Sequence, residues 1–135
     1  MKKRVLFLCT GNSARSQMAE GLLRSIAGDK FEVFSAGTKP SGVNLYTIKV
    51  MKEIGIDISN QKSKSVEIYF KMQFDYVITL CENAKQTCPF FPGNAIKIHW
   101  DLEDPAEATE NNEEKTETFR KVRDEIRNLI IDFLK

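Results

Sequence analysis

The run Val5-Leu6-Phe7-Leu8-Cys9 is apolar at every position rather than at every second one. A strand with one face in water alternates, whereas a strand buried on both faces reads as an unbroken apolar run, and its usual setting is a parallel sheet covered by helices. Phe31 to Phe34, Tyr76 to Leu80 and Ala95 to Ile98 are the other short strand candidates, which makes four in all. Helical spacing separates them. Ser16 to Ala27 places Met18, Ala19, Leu22, Leu23 and Ile26 at helical intervals before Gly28, Leu45 to Ile54 makes a second helix closing near Gly55, and Ser65 to Met72 suits a short one. From about Glu114 onward, Phe119, Val122, Ile126, Leu129, Ile130 and Phe133 recur at three- and four-residue steps, the pattern of an amphipathic cover. The acidic stretch from Glu103 to Glu117 reads as a solvated loop entering that helix. At 135 residues and 15.4 kDa the chain suits one hydrophobic core. The expected class is therefore α/β: a single domain over residues 1–135, in three layers, with a four-stranded parallel sheet and helices on both faces.

With 20 basic and 19 acidic residues the net charge is +1, so no global field recruits nucleic acid or an anionic membrane. Any anion specificity must be local. Met1-Lys2-Lys3-Arg4 is basic, but the four apolar residues before Cys9 are too few for a secretory signal, and no stretch approaches the roughly 20 apolar residues of a membrane span. A cytoplasmic protein is expected. In that reducing compartment Cys9, Cys81 and Cys88 read as reactive, ligating or buried rather than as a disulfide framework.

The segment Cys9-Thr10-Gly11-Asn12-Ser13-Ala14-Arg15-Ser16 lies where an α/β fold places its chemistry. A strand ending at Cys9, a tight loop and a helix starting near Arg15 would aim the backbone N–H groups of Thr10 to Arg15 at one point, beside the positive end of a helix dipole. Gly11 and Asn12 tolerate left-handed backbone, and Arg15 offers a planar fork to a tetrahedral oxyanion. The same donors favour the nucleophilic thiolate form of Cys9. Ser16 can either donate to that thiolate or cap the helix. Thiolate attack on such an anion needs an acid for the leaving oxygen. Asp104, made rigid by Pro105, suits this better than Asp101 or Glu103. His99, the sole histidine, follows a strand candidate beside Trp100 and reads as structural or partly exposed rather than as a catalytic base. A zinc site from Cys9, Cys81, Cys88 and His99 is disfavoured, because six residues separate Cys81 from Cys88; no metal site is expected.

Cys9 to Ser16 continues into Gln17-Met18-Ala19-Glu20-Gly21, and further along stand Ser35-Ala36-Gly37, Met51 to Ser59, Thr79-Leu80-Cys81, Cys88-Pro89, His99-Trp100, Asp104-Pro105-Ala106 and Phe119 to Ile126. Together these resemble the thioredoxin-coupled arsenate reductases, which share the fold of low-molecular-weight protein tyrosine phosphatases. The likeness runs from about Val5 to the terminal helix. It implies that Cys9 attacks arsenate held by the loop amides and Arg15, and that Asp104 protonates the departing oxygen. Cys81 then attacks Cys9 and releases arsenite, Cys88 attacks Cys81, and thioredoxin reduces the Cys81–Cys88 disulfide. If Cys81 and Cys88 flank helical turns, the segment between them must rearrange, because a disulfide needs its Cα atoms roughly 4.4 to 6.8 Å apart. Its residues are polar, so an opened segment is expected in the oxidised protein.

Two positions depart from the family pattern. Ala14 stands where many members carry cysteine, outside the cascade. Some reductases hold potassium with residues matching Asn12, Glu20 and Ser35 plus a carboxylate whose place is taken here by Lys64, so the expectation is against bound potassium. The resemblance implies arsenate, or a phosphate-like oxyanion, and thioredoxin as partners of a monomer. A phosphatase of the same fold, hydrolysing a phosphocysteine with Cys9, Arg15 and Asp104, is the main alternative, and weak phosphatase activity can coexist with reduction. It has no use for Cys81 or Cys88, and Ala106 stands where phosphotyrosine enzymes usually place aromatic residues. A non-enzymatic oxyanion-binding or redox-sensing module leaves Asp104 idle.

Overall fold

A computed structural model describes residues 2–81, 91–107 and 111–135 of the chain. Strands β1 (Lys3–Cys9), β2 (Phe31–Gly37), β3 (Tyr76–Cys81) and β4 (Ile96–Asp101) form one parallel sheet in the order β2-β1-β3-β4. Helices α1 (Arg15–Ala27), α2 (Leu45–Glu53) and α3 (Asn112–Phe133) accompany them, with short 3₁₀ helices at Val66–Tyr69 and Pro105–Glu107. No helix among the described residues is long and apolar enough to cross a membrane.

The unbroken apolar run of β1 is buried on both faces, with Val5 to Leu8 fully buried. Val5 and Phe7 enter a core with Leu22 of α1, Met51 of α2 and Phe119 and Ile126 of α3. Leu6 and Leu8 enter a second core with Val66, Phe74, Val77 and Phe91. Helices thus flank both faces, the three long ones on the first and the Val66–Tyr69 turn on the second.

Several boundaries differ from the sequence reading for identifiable reasons. The short helix expected over Ser65 to Met72 is a single 3₁₀ turn, Val66–Tyr69, capped by the Ser65 side chain, which accepts from the Glu67 N–H. Three residues per turn align Val66 with Tyr69, and Tyr69 meets Phe34 edge-on at 5.4 Å. β4 runs on through His99 and Trp100 to Asp101, because Trp100 is a core residue packed 6.0 Å from Phe7. The stretch expected as loop from Glu103 to Glu117 is helical from Asn112: Asn111 accepts from the Glu114 N–H while its amide donates to the Glu114 carboxylate, a reciprocal cap. Glu113 and Glu114 then sit in the first turn, where negative charge suits the helix dipole.

Candidate active site

In the order β2-β1-β3-β4 the chain leaves β1 toward one side of the sheet and returns for β3 on the other. The crevice beyond the carboxyl ends of such a strand pair is the ligand site of open α/β sheets. Cys9 ends β1 and Cys81 ends β3, so both cysteines stand at that crevice.

The loop after Cys9 is held from outside through its carbonyls. Thr10 O accepts from Lys39 N (2.9 Å), Gly11 O from Ser41 N (3.0 Å) and Ser63 Oγ (2.9 Å), Asn12 O from Gln17 Nε2 (3.0 Å) and Ser13 O from Asn44 N (3.0 Å). With its carbonyls drawn outward, the loop turns its N–H groups toward the sulfur, and Asn12 N–H already donates to Cys9 Sγ at 3.2 Å. Asn12 has φ 47°, the left-handed backbone expected of it. Gly37 of β2 permits the close approach, since a Cβ there would lie 2.4 Å from Thr10 O and 2.8 Å from Asn12 N.

Ser16 lies inside α1 rather than at its cap, and its hydroxyl is 2.8 Å from Cys9 Sγ; the cap position is Ala14, without a side-chain bond. Asn12 Nδ2 donates to Ser16 Oγ (2.7 Å) and Ser35 Oγ (3.0 Å), and Ser35 donates to Glu20 at 2.5 Å. Glu20, 5% exposed, is balanced by Arg24 at 2.8 Å and Lys64 at 3.8 Å. Burial pushes the Lys64 ammonium below its ordinary range, and Glu20 draws it back up. A polar chain therefore runs from the nucleophile to a surface cleft beside Glu20, Arg24 and Lys64.

Arg15 is 3% exposed; its Nη1 donates to Leu102 O at 3.0 Å and its Nη2 stands 3.7 Å from Asp104 Oδ2. Asp104 Oδ1 accepts from Ala106 N at 3.0 Å. The three carboxylates that compete in the sequence are thereby separated. Glu103 pairs with Lys121 at 3.3 Å and Asp101 lies in β4 opposite Cys81, leaving Asp104 beside Arg15. Cys9 is a buried free thiol, whereas Cys81, fully buried, is disulfide-bonded. Cys88 and its neighbours from 82 to 90 lie outside the described residues. No group of three or more His, Cys, Asp or Glu able to hold a metal occurs among the described residues.

Gln17 is the functional residue that sequence reasoning passed over. It is fully buried, grips the main-chain and side-chain oxygens of Asn12 and the Lys62 carbonyl, and accepts from Gln61. The available signal was a glutamine in a helix whose residues Arg15 to Leu23 are all buried, since a buried amide needs partners.

The family model described as low molecular weight phosphotyrosine protein phosphatase matches residues 4–135. An arsenate reductase of Halalkalibacterium halodurans is 49% identical over 132 residues, 98% of this chain and 95% of that protein. A solved arsenate reductase in the phosphate-binding state is similar with TM-score 0.80 and 34% identity, covering 97% of this chain and 95% of its own. A thioredoxin-dependent arsenate reductase of Corynebacterium glutamicum aligns with TM-score 0.69 and 31% identity, covering 97% of this chain and 61% of that one.

Proposed function

The chain belongs to the low molecular weight phosphotyrosine protein phosphatase family, and we propose that within this fold it is an arsenate reductase working through a thiol relay. Cys9 attacks arsenate seated on the loop N–H groups and Arg15, and Asp104 hands a proton to the departing oxygen. Ser16 and the Asn12 N–H hold the sulfur when it is an anion, both as nucleophile and as leaving group. Cys81 then attacks Cys9 Sγ: the S–S bond forms, the S–As bond breaks, and its electron pair stays on arsenic, which leaves as arsenite. Cys88 attacks Cys81 and frees Cys9. Thioredoxin is the reductant we assign to the resulting disulfide, in the cytoplasm, with the enzyme acting as a monomer.

The observation that carries this reading over phosphoester hydrolysis is Cys81. A phosphatase needs one thiol, but here a second, disulfide-bonded cysteine ends the strand next to that of the nucleophile. With thioredoxin, thioredoxin reductase and NADPH, native protein should produce arsenite continuously, while Cys81→Ser and Cys88→Ser should each lose steady-state turnover at least ~100-fold. Unchanged turnover in both variants would falsify the relay.

We place no potassium in this enzyme. What supports this reading is that Asn12 Oδ1 accepts from the Gln17 amide and the Lys64 N–H, while Glu20 accepts from Ser35 and pairs with Arg24 and the Lys64 ammonium. Turnover should be equal in potassium and sodium salts of one ionic strength; a steep rise with potassium alone would contradict this.

A further inference from the structure

Resting on the reductase reading, we propose that Gln17 is a positioning residue for arsenate, acting through Asn12: it fixes both the turn that presents the N–H groups of the Cys9 loop and the side chain that reaches Ser16. Gln17 is fully buried on α1, and its Nε2 lies 3.0 Å from each of Asn12 O, Asn12 Oδ1 and Lys62 O, which share its two N–H groups. Main-chain carbonyls only accept, so this end of the side chain is the nitrogen. The other end, Oε1, accepts from Gln61 Nε2 at 2.8 Å.

The same logic fixes Asn12. Its Oδ1 faces the Lys64 main-chain N–H at 2.9 Å, a group that only donates, so the oxygen is turned to Gln17 and Lys64 while Nδ2 is turned to Ser16 Oγ at 2.7 Å and Ser35 Oγ at 3.0 Å. Nδ2 occupies a lone pair of Ser16, whose hydroxyl proton is left for Cys9 Sγ at 2.8 Å. Turned over, the Asn12 amide would set its oxygen against both serines and draw their protons from Cys9 and Glu20. The backbone depends on Gln17 as well. Asn12 sits at φ 47°, a conformation that a residue other than glycine keeps only where its surroundings hold it. The bond from Gln17 to Asn12 O supplies that hold, and the turn aims the Asn12 N–H at Cys9 Sγ, 3.2 Å away.

The test measures inorganic phosphate affinity by calorimetry, from about pH 5.5 to about pH 9, for native, Gln17→Met, Gln17→Glu and, as a packing control in α3, Ile126→Val protein. Arsenite production with thioredoxin, thioredoxin reductase and NADPH is followed for each. Gln17→Met keeps the length of the side chain but offers Asn12 no donor, so we expect phosphate affinity at least ~10-fold weaker than native at every pH, with the arsenate KM raised alongside. A protonated carboxyl at that position keeps one O–H donor, and burial among oxygen atoms favours this form. Gln17→Glu should therefore stay within ~3-fold of native at the acid end and fall toward Gln17→Met as it ionises. Dividing each affinity by the native one at the same pH removes the titration of phosphate itself. Ile126→Val, which trims a fully buried side chain of the α3 core, should bind like native. Native affinity in Gln17→Met, equal weakening in Ile126→Val, or a Gln17→Glu protein that tracks Gln17→Met at every pH would each overturn the assignment while leaving the reductase reading intact. Native protein that makes no arsenite overturns the reductase reading and this inference with it.

Discussion

Asn12 is the hinge of the anion cradle: it bends the loop through a left-handed backbone, offers its N–H to Cys9, and ties the nucleophile's serine to Ser35 and Glu20. That conformation is held by Gln17 on one side and by the backbone of β2 on the other, where only the missing Cβ of Gly37 makes room. Gly37→Ala should therefore displace Thr10 and Asn12, weakening phosphate affinity at least ~10-fold while costing about 1–3 kcal/mol of stability. Calorimetry and thermal unfolding would check the pair, and native affinity in the variant would show that the approach is less tight than described. The reacting residues were legible because their pattern is local: Cys9, Arg15 and Ser16 lie within one loop and one turn, and Pro105 marks Asp104. Glu20, Ser35 and Gln17 act across α1, β2 and the 61–64 segment, so their partnership depends on a packing that no local spacing encodes.

At the scale of elements, α2 and α3 are clamped by charge as well as by apolar contact. Arg120 forks onto Glu53 at 2.6–3.1 Å and Arg123 donates to it at 3.0 Å and to the Val50 carbonyl at 2.8 Å. The Arg120 hydrogen bond is the main cause that lowers the Glu53 carboxyl from 4.5 to about 2. A depressed carboxylate stabilises the fold above its unfolded value and loses that contribution as pH falls through its folded one. Glu53→Gln should thus cost under ~1 kcal/mol at pH 7, because the cluster is partly solvated, and the gap to native should close between pH 4.5 and about 2. Denaturant melts at pH 7 and pH 2.5 would check it; an equal gap at both would contradict it. Element type followed from periodicity, as in the continuous run of β1 and the three- and four-residue steps of α3. Ends were harder to read, because Trp100 joins β4 through its contact with Phe7 and Asn111 starts α3 by a cap inside an acidic stretch.

For the whole molecule, the strand order turns a motif into an enzyme. Placing β3 beside β1 brings Cys81, distant in sequence, to the carboxyl end of the sheet where Cys9 sits, a topology available to any member of this fold but of use only to a relay. Strand alternation also sets a condition on it. Cys81 follows Val77 and Thr79 on one face, whereas Val5 and Phe7 of β1 point to the other, so the end of β3 must shift for the two sulfurs to meet. The most direct test reacts reduced Cys88→Ser protein with arsenate without thioredoxin, counts the arsenite released and maps the disulfide by mass spectrometry. The relay predicts one arsenite per chain and a Cys9–Cys81 disulfide, with no second turnover. Arsenite released without that disulfide, or repeated turnover by the variant once thioredoxin is added, would contradict it.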